Sequence, residues 1–148
     1  MRASLVAIEQ ATWRDLFGVV ALEKLCFGRE AWPWIDYLAA LTLPETVPLK
    51  AVLDGQLVGF VAGDRRRKKN LGWIATLGVH PDFQRRGIGS MLLKVCENEL
   101  AMPRIRLTLR RSNQAAMRLY ERSGYLEVDV WSRYYSNGED GVVMEKVI

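Results

Sequence analysis

The apolar positions in the first third of the chain change from strand-like to helical spacing. Residues 5–8 form a short stretch of β-prone residues. The apolar residues after it recur near the helical period: Leu16, Val19, Val20, Leu22 and Leu25. Thr12 is suited to cap this helix, and a second helical pattern covers residues 34–41. The pattern therefore predicts one strand followed by two helices.

A hairpin is predicted next. Pro44 and Pro48 interrupt the chain before an apolar run over residues 49–53, so we expect the strand to begin after Pro48. The Asp54-Gly55 pair is a turn signal, and the apolar run over residues 57–62 follows it directly. These two runs are expected to pair as antiparallel strands.

Strand and helix patterns alternate in the second half of the chain. The predicted elements are a strand over 73–79, a helix from Ile88 to Met102-Pro103, a strand over 104–110, a helix capped by Ser112 or Asn113 that ends at Gly124, and strands over 125–131 and 142–147. Hairpins at both ends and a parallel pair in the middle predict a mixed α/β sheet. Since no repeat or linker divides the chain, we expect one domain over residues 1–148.

Composition narrows the class of protein. The chain of 148 residues has 49% hydrophobic and 26% charged residues, which is typical of a globular domain. Its net charge of +4 suits an anionic cofactor better than a nucleic acid, which we do not expect as a partner. Cys26 and Cys96 lack the spacing of a metal site or a disulfide framework, and Glu9 interrupts the first apolar stretch. We therefore expect a cytoplasmic protein with no metal and no membrane segment.

Five consecutive cations occupy residues 65–69 and are expected at a hairpin tip. A solvated loop explains such a run. Contact with an acidic partner or ribosomal RNA is the alternative, and the sequence leaves both open.

Residues suited to bind an anion are concentrated in the loop between the strand over 73–79 and the helix that begins at Ile88. Gly87 and Gly89 remove side chains where the backbone turns, so that successive N–H groups can point at one anion. The positive end of the helix dipole adds to the charges of Arg85 and Arg86. The loop is therefore predicted to bind a diphosphate.

Two nucleotide-binding motifs do not fit this loop. A P-loop requires Gly-Lys followed by Ser or Thr, which is absent here. A dinucleotide fingerprint requires a third glycine at the position of Leu92.

The run Gln84-Arg85-Arg86-Gly87-Ile88-Gly89 closely resembles the acyl-CoA pyrophosphate loop of the GNAT superfamily of N-acyltransferases. The resemblance implies a mostly antiparallel sheet with a splayed parallel central pair, helices on both faces, and acetyl-CoA as the acyl donor. It also implies the residues that hold this cofactor. Those at the pyrophosphate are Gln84, Arg85, Arg86, Gly87, Ile88, Gly89 and Ser90, and those along the pantetheine arm are Leu77, Gly78 and Val79.

The segment from Asn113 to Tyr125 is the second that resembles the superfamily. The resemblance implies that Asn113 contacts the cofactor and that Tyr120 lies beside its sulfur. With a reference pKa near 10, a tyrosine can donate a proton to the departing thiolate. Tyr120 is accordingly the predicted catalytic acid.

The end of the chain is similar to protein N-terminal acetyltransferases of the ribosomal-protein-alanine type, through Arg133-Tyr134-Tyr135 and residues 138–144. A protein N-terminus is therefore the expected acceptor. The residues expected to contact it are aromatic: Phe27, Trp32, Trp73, Tyr134 and Tyr135. Packing within the fold explains such aromatic residues equally well.

Thr108 departs from the pattern of that type. Its members commonly carry Glu or His at this position of the fifth strand, where the side chain acts as a general base. The base is then absent, relocated, or a water held by Thr108. At pH 7 an α-amine is roughly 14% neutral and a lysine amine about 0.04%, so the loss of a base favours an α-amine acceptor.

Two alternative functions remain open. The acceptor can be a small amine (a polyamine, an amino acid or an antibiotic), or the protein can be a silent acyl-CoA-binding module. Either a monomer or a homodimer is compatible with the sequence.

Overall fold

A seven-stranded sheet with four α-helices is formed by the residues that the computed structural model describes, 5–148. The strands are β1 Val6–Gln10, β2 Thr46–Leu53, β3 Gln56–Arg66, β4 Leu71–Val79, β5 Arg104–Arg110, β6 Leu126–Trp131 and β7 Gly141–Val147. The helices are α1 Leu16–Phe27, α2 Trp34–Thr42, α3 Ile88–Leu100 and α4 Gln114–Arg122. None of these helices is both long and apolar enough to span a bilayer.

The strand order is β1-β2-β3-β4-β5-β7-β6, and every neighbouring pair is antiparallel except β4 and β5. Those two strands pair in parallel from Leu71 with Arg104 to Ile74 with Leu107, and then part. The predicted mixed sheet with a splayed parallel pair is thereby confirmed. The parting point coincides with a β-bulge in β4, where Ala75 is the extra residue between the pairs to β3.

Helices cover both faces of the sheet, as expected. On one face α1 and α2 pack over Phe60 and Ala62 of β3. On the other face α3 lies close to the sheet, because glycines in the strands leave room for its side chains. A Cβ on Gly59 would approach Leu92 to 2.8 Å, and one on Gly63 would approach Leu100 to 3.0 Å. Both faces therefore have a hydrophobic core of their own.

The expectation that β2 begins after Pro48 is wrong, because the strand starts at Thr46. The carbonyl of Pro48 accepts the N–H of Ala11, which directly follows β1. Since the N and C=O of one residue face the same edge of a strand, the missing N–H of Pro48 falls at the end of β1 and not against β3. The pairing with β3 is therefore unaffected.

The run of cations is also divided differently from the prediction. Arg65 and Arg66 belong to β3, and only residues 67–69 form the tip. The Arg65 guanidinium donates to the carbonyls of Glu99 (2.7 Å) and Leu100 (3.1 Å) at the end of α3. A cation is favourable at a helix C-terminus, so this contact with α3 stabilises the extension of β3. The periodicity of apolar residues in the sequence does not reveal it.

The predicted N-terminal cap of α4 is confirmed, whereas the residue predicted to cap α1 caps a short turn that precedes this helix. Thr12 caps a short 3-10 turn, Trp13–Asp15, that leads into α1, and its own N–H bonds to Asp15 (2.8 Å). Asn113 caps α4, with its side-chain oxygen accepting the N–H of Ala116 (3.1 Å).

Candidate active site

The parting of β4 from β5 leaves backbone groups of β4 without a strand partner. The N–H of His80 donates to Val58 on β3. Because successive residues of a strand direct their N–H and C=O to opposite edges, Leu77 and Val79 direct theirs away from β3, where β5 has diverged. The Val79 carbonyl accepts Cys26 Sγ (3.4 Å) and Gln84 Nε2 (3.2 Å), so Gln84 ties the following loop to the strand.

Two clefts meet at this gap. The first cleft, of about 690 Å³, runs from the β4–α3 loop to α4. It is lined by every predicted cofactor residue except Arg86: Leu77, Gly78, Val79, Gln84, Arg85, Gly87, Ile88, Gly89, Ser90, Asn113 and Tyr120. The sequence segments singled out around Gln84 and Asn113 are therefore brought together on one cavity.

The first cleft is suited to an anion. The helix α3 begins at Ile88, so its first N–H groups have no intrahelical partner and lie at the positive end of the helix dipole. Arg85 and Gly87 have positive φ angles (66° and 80°), which turn the loop tightly into the helix. Arg118 and Arg122, four residues apart on α4, add two cations to the lining. Sequence reasoning missed this pair, although its helical spacing was visible.

Arg86 lies outside both linings. Its guanidinium is 5.1 Å from the centre of the Phe83 ring. The two neighbouring arginines of the loop therefore have different surroundings.

The second cleft, of about 450 Å³, lies between α1, α2 and the diverging ends of β4 and β5. Five of the residues predicted to contact the acceptor or to act on it line this cleft: Phe27, Trp32, Thr108, Tyr120 and Tyr135. Leu77, Asn113 and Tyr120 line both clefts. The two cavities therefore join beside the unpaired edge of β4.

Trp73 and Tyr134, also predicted as acceptor contacts, lie outside the lining of the second cleft. They form a chain of ring contacts that leads away from it, from Tyr135 to Tyr134 (5.0 Å), Trp131 (5.1 Å) and Trp73 (5.8 Å). Arg66 covers the far end, 4.6 Å from the Trp73 ring. The chain packs the β6–β7 loop against the sheet beside the cleft.

Arg110 lines the second cleft and joins two loops beside it. Its guanidinium pairs with Glu30 from the α1–α2 loop and with Glu139 (3.1 Å) from the β6–β7 loop. It also lies 4.1 Å from the Tyr135 ring. Hydrogen bonds from Ser112 and then from Arg110 lower the pKa of Glu139 to about 2, so this carboxylate stays ionised and holds the two loops together.

Tyr120 lies where the two clefts join and is 7% exposed. Burial raises the pKa of its phenol above the ordinary value, with a smaller contribution from Tyr135. The group therefore stays protonated and can donate. Cys26, which also lines both clefts, is no nucleophile at neutral pH, because burial and Glu23 raise the pKa of its thiol to about 11.

Two buried polar atoms near the second cleft have no hydrogen-bond partner among residues 5–148: Thr108 Oγ1 and Glu23 Oε2. Sequence reasoning missed Glu23, although its spacing from Val19 and Cys26 placed it on an apolar helix face. It is 0% exposed and accepts the Thr76 hydroxyl at 2.7 Å. Burial is the main cause that raises its pKa from 4.5 to about 7, against the opposing bond from Thr76.

We expect a Glu23→Gln variant to lose part of the pH dependence of stability. Between pH 4.5 and about 7 the folded wild type binds a proton at Glu23 that the unfolded chain has released, so stability falls as pH rises. The free energy lost above pH 7 is about 3 kcal/mol, which glutamine does not lose. Urea unfolding at several pH values measures the difference. Equal pH slopes for the two proteins would contradict the burial of a titrating carboxyl.

Among residues 5–148, no cluster of three or more His, Cys, Asp or Glu side chains could hold a metal ion. The fit to an anionic cofactor is better founded. The first cleft combines arginines, free helix N–H groups, an unpaired strand edge and the phenol of Tyr120. Such a cavity can accept a long ligand with a phosphate group at one end and a reacting group at the other.

Comparison with known proteins agrees with this geometry. The catalytic subunit NAA10 of the N-terminal acetyltransferase A complex of Arabidopsis thaliana is 28% identical over 149 residues, covering 96% of this chain and 78% of the relative. The ribosomal-protein-S18-alanine N-acetyltransferase of Escherichia coli has the same fold, with a TM-score of 0.88, 24% identity, and coverage of 97% and 94%.

A second similar structure is the NatC complex bound to Gag peptide and CoA, with a TM-score of 0.85, 20% identity, and coverage of 97% of this chain and 98% of that one. The model of the acetyltransferase (GNAT) family matches residues 5–125, which include β4, the β4–α3 loop and α4. With most of its length in that match, the chain belongs to the acetyltransferase (GNAT) family.

Proposed function

We propose that this protein transfers the acetyl group of acetyl-CoA to the N-terminal α-amine of a polypeptide, such as a ribosomal protein. The observation that carries the proposal is the junction of the two clefts at Leu77 and Tyr120. An acyl donor in the first cleft and an amine in the second would meet there. The relative from Arabidopsis thaliana, which is named as an N-terminal acetyltransferase subunit, supports the polypeptide acceptor.

In this proposal the arginines of the first cleft and the N–H groups at the start of α3 hold the diphosphate. The N–H groups of Leu77 and Val79 pair with the pantetheine arm, and Asn113 contributes its side-chain amide, since its oxygen already caps α4. The unpaired backbone of β4 stabilises the oxyanion that forms on the thioester. Tyr120 gives its proton to the departing thiolate.

The lining of the second cleft supports an α-amine acceptor. Thr108 takes the place of a general base, and the carboxylate of Glu30 is paired with Arg110. An α-amine gives up its proton about 2.6 pKa units more readily than lysine does, which amounts to about 3.5 kcal/mol. Phe27, Trp32 and Tyr135 would surround the first residue of the acceptor.

The test is acetyl-CoA consumption with a matched set of acceptors. We expect a peptide with a free α-amine to exceed the same peptide, blocked at its N-terminus but carrying an internal lysine, by about 100-fold or more in kcat/KM at pH 7. Polyamines, free amino acids and an aminoglycoside complete the set. Preference for one of those small amines would replace the polypeptide in the proposal, and cofactor binding by calorimetry without any turnover would leave a silent binding module.

A further inference from the structure

Glu23 differs from the other buried glutamate of the described chain. Glu97 accepts the Tyr125 hydroxyl (2.8 Å) on one oxygen and Lys146 Nζ (3.0 Å) on the other. Glu23 is fully buried, and only its Oε1 has a partner, the Thr76 hydroxyl. Because an ionised carboxylate in an apolar interior needs donors on both oxygens, the surroundings of Glu23 favour the uptake of a proton.

Thr76 connects Glu23 to the second cleft. It lies on β4 next to the bulge at Ala75 and lines the cleft, whereas Glu23 lies behind it on α1. A hydroxyl has one hydrogen to donate and two lone pairs. Because Thr76 gives its hydrogen to Glu23, its lone pairs are available to a donor in the cleft. An ammonium group there would find an acceptor that leads to a carboxylate.

We infer that Glu23, acting through Thr76, holds the proton that the acceptor amine must lose before it attacks. The ammonium passes a proton to Thr76 Oγ1 while the Thr76 hydroxyl proton moves to Glu23, and a neutral amine results. The C–N bond then forms and the C–S bond breaks. The thiolate takes the Tyr120 proton, the surplus proton on nitrogen restores Tyr120, and the proton on Glu23 leaves to water.

Glu23 is thus a positioning residue, because it reaches the amine only through Thr76. The titratable groups that face it are Cys26 on its own helix and Tyr37 on α2. Burial raises the pKa of both, to about 11 for Cys26, so both are neutral when Glu23 titrates near pH 7. No cation of residues 5–148 pairs with Glu23, so the carboxylate can accept a proton near neutral pH. Glu23 thereby supplies, through Thr76, the proton acceptor that Thr108 lacks. A group that titrates near pH 7 accepts a proton from an α-amine more readily than from lysine, so the preference for an α-amine is kept.

The inference rests on the acetylation of an amine, as proposed above, but not on which amine. The test is kcat against pH for the wild type and for Glu23→Gln, Thr76→Val and Thr76→Ser. With an α-amine peptide as the acceptor, we expect the glutamine and valine variants to lose about sevenfold at pH 7, where roughly 14% of the amine is neutral, and to approach the wild type near pH 9, where about 94% is neutral. Thr76→Ser should retain the wild-type profile, because serine keeps the hydroxyl.

A merely structural role predicts a loss that is the same at every pH, and that result would overturn the inference. Glu97→Gln is the matched control, since it removes a buried carboxylate that lines neither cleft. It should lower stability while keeping the shape of the kcat profile. A wild type that acetylates no amine overturns the proposed function together with this inference, whereas wild-type turnover with parallel profiles for all variants overturns this inference alone.

Discussion

We expect the Tyr120→Phe variant to turn over acetyl-CoA about 100- to 1,000-fold more slowly than the wild type. The substitution removes only the hydroxyl at the junction of the two clefts, so the thiolate must leave without a proton donor beside it. The phenyl ring keeps the edge-to-face contact with Tyr125 (5.7 Å), and the fold should persist. Steady-state kcat and calorimetric affinity for acetyl-CoA measure the two effects separately, and the affinity should change less than about threefold.

Tyr125→Phe is the matched control for this variant. The Tyr125 hydroxyl donates to Glu97 and lies outside both clefts, so its loss should reduce stability by about 1 to 2 kcal/mol and leave kcat nearly unchanged. If Tyr120→Phe and Tyr125→Phe lower kcat to a similar extent, the assignment of the proton donor is wrong. If Tyr120→Phe weakens cofactor binding instead of turnover, the hydroxyl serves to bind and not to donate.

Arg85→Ala should raise the KM for acetyl-CoA about 10- to 100-fold, whereas Arg86→Ala should change it less than about threefold. Of these two arginines only Arg85 lines the first cleft, while Arg86 lies against the ring of Phe83. A charge-assisted hydrogen bond to the diphosphate is worth about 1.5 to 3 kcal/mol, which corresponds to the larger range. Alanine at position 85 keeps the same left-handed backbone demand as arginine (φ 66°), so the comparison isolates the side chain.

The salt dependence of KM provides a second reading of the same pair. The wild type and Arg86→Ala should lose affinity as ionic strength rises, and Arg85→Ala should lose less, since one of its screened contacts is gone. Equal KM values for the two alanine variants would show that the loop binds through its backbone alone. A larger effect for Arg86 would place the diphosphate on the other side of the loop.

The sequence predicted those parts of the fold that depend on local pattern. The start of α3 at Ile88, the alternation in β5 and the cap of α4 at Asn113, one of two predicted candidates, all appear as predicted, because each depends on a few neighbouring residues. The gathering of the segments around Gln84 and Asn113 on one cleft followed from their resemblance to a known family. These local and motif signals were sufficient to predict the mixed sheet.

What the sequence could not predict depends on contacts between distant residues. The extension of β3 through Arg65 requires the end of α3, 34 and 35 positions away in the chain. The tolerance of Pro48 in β2 depends on where β1 stops. Glu23 appeared as an ordinary charge on a helix, and only the fold shows that Thr76, 53 positions away, donates a hydrogen bond to it. Periodicity has no access to such pairs.

Apart from the residues that line both clefts, such as Leu77, Asn113 and Tyr120, the walls of the two clefts come from different parts of the chain. The β4–α3 loop and α4 serve the first, whereas the α1–α2 loop and the β6–β7 loop, joined through Arg110, serve the second. Mutations that change the α1–α2 loop or the β6–β7 loop therefore leave the residues that hold the acyl donor in place. In the evolution of such a protein, the donor cleft can stay unchanged while substitutions in the other cleft select a different acceptor.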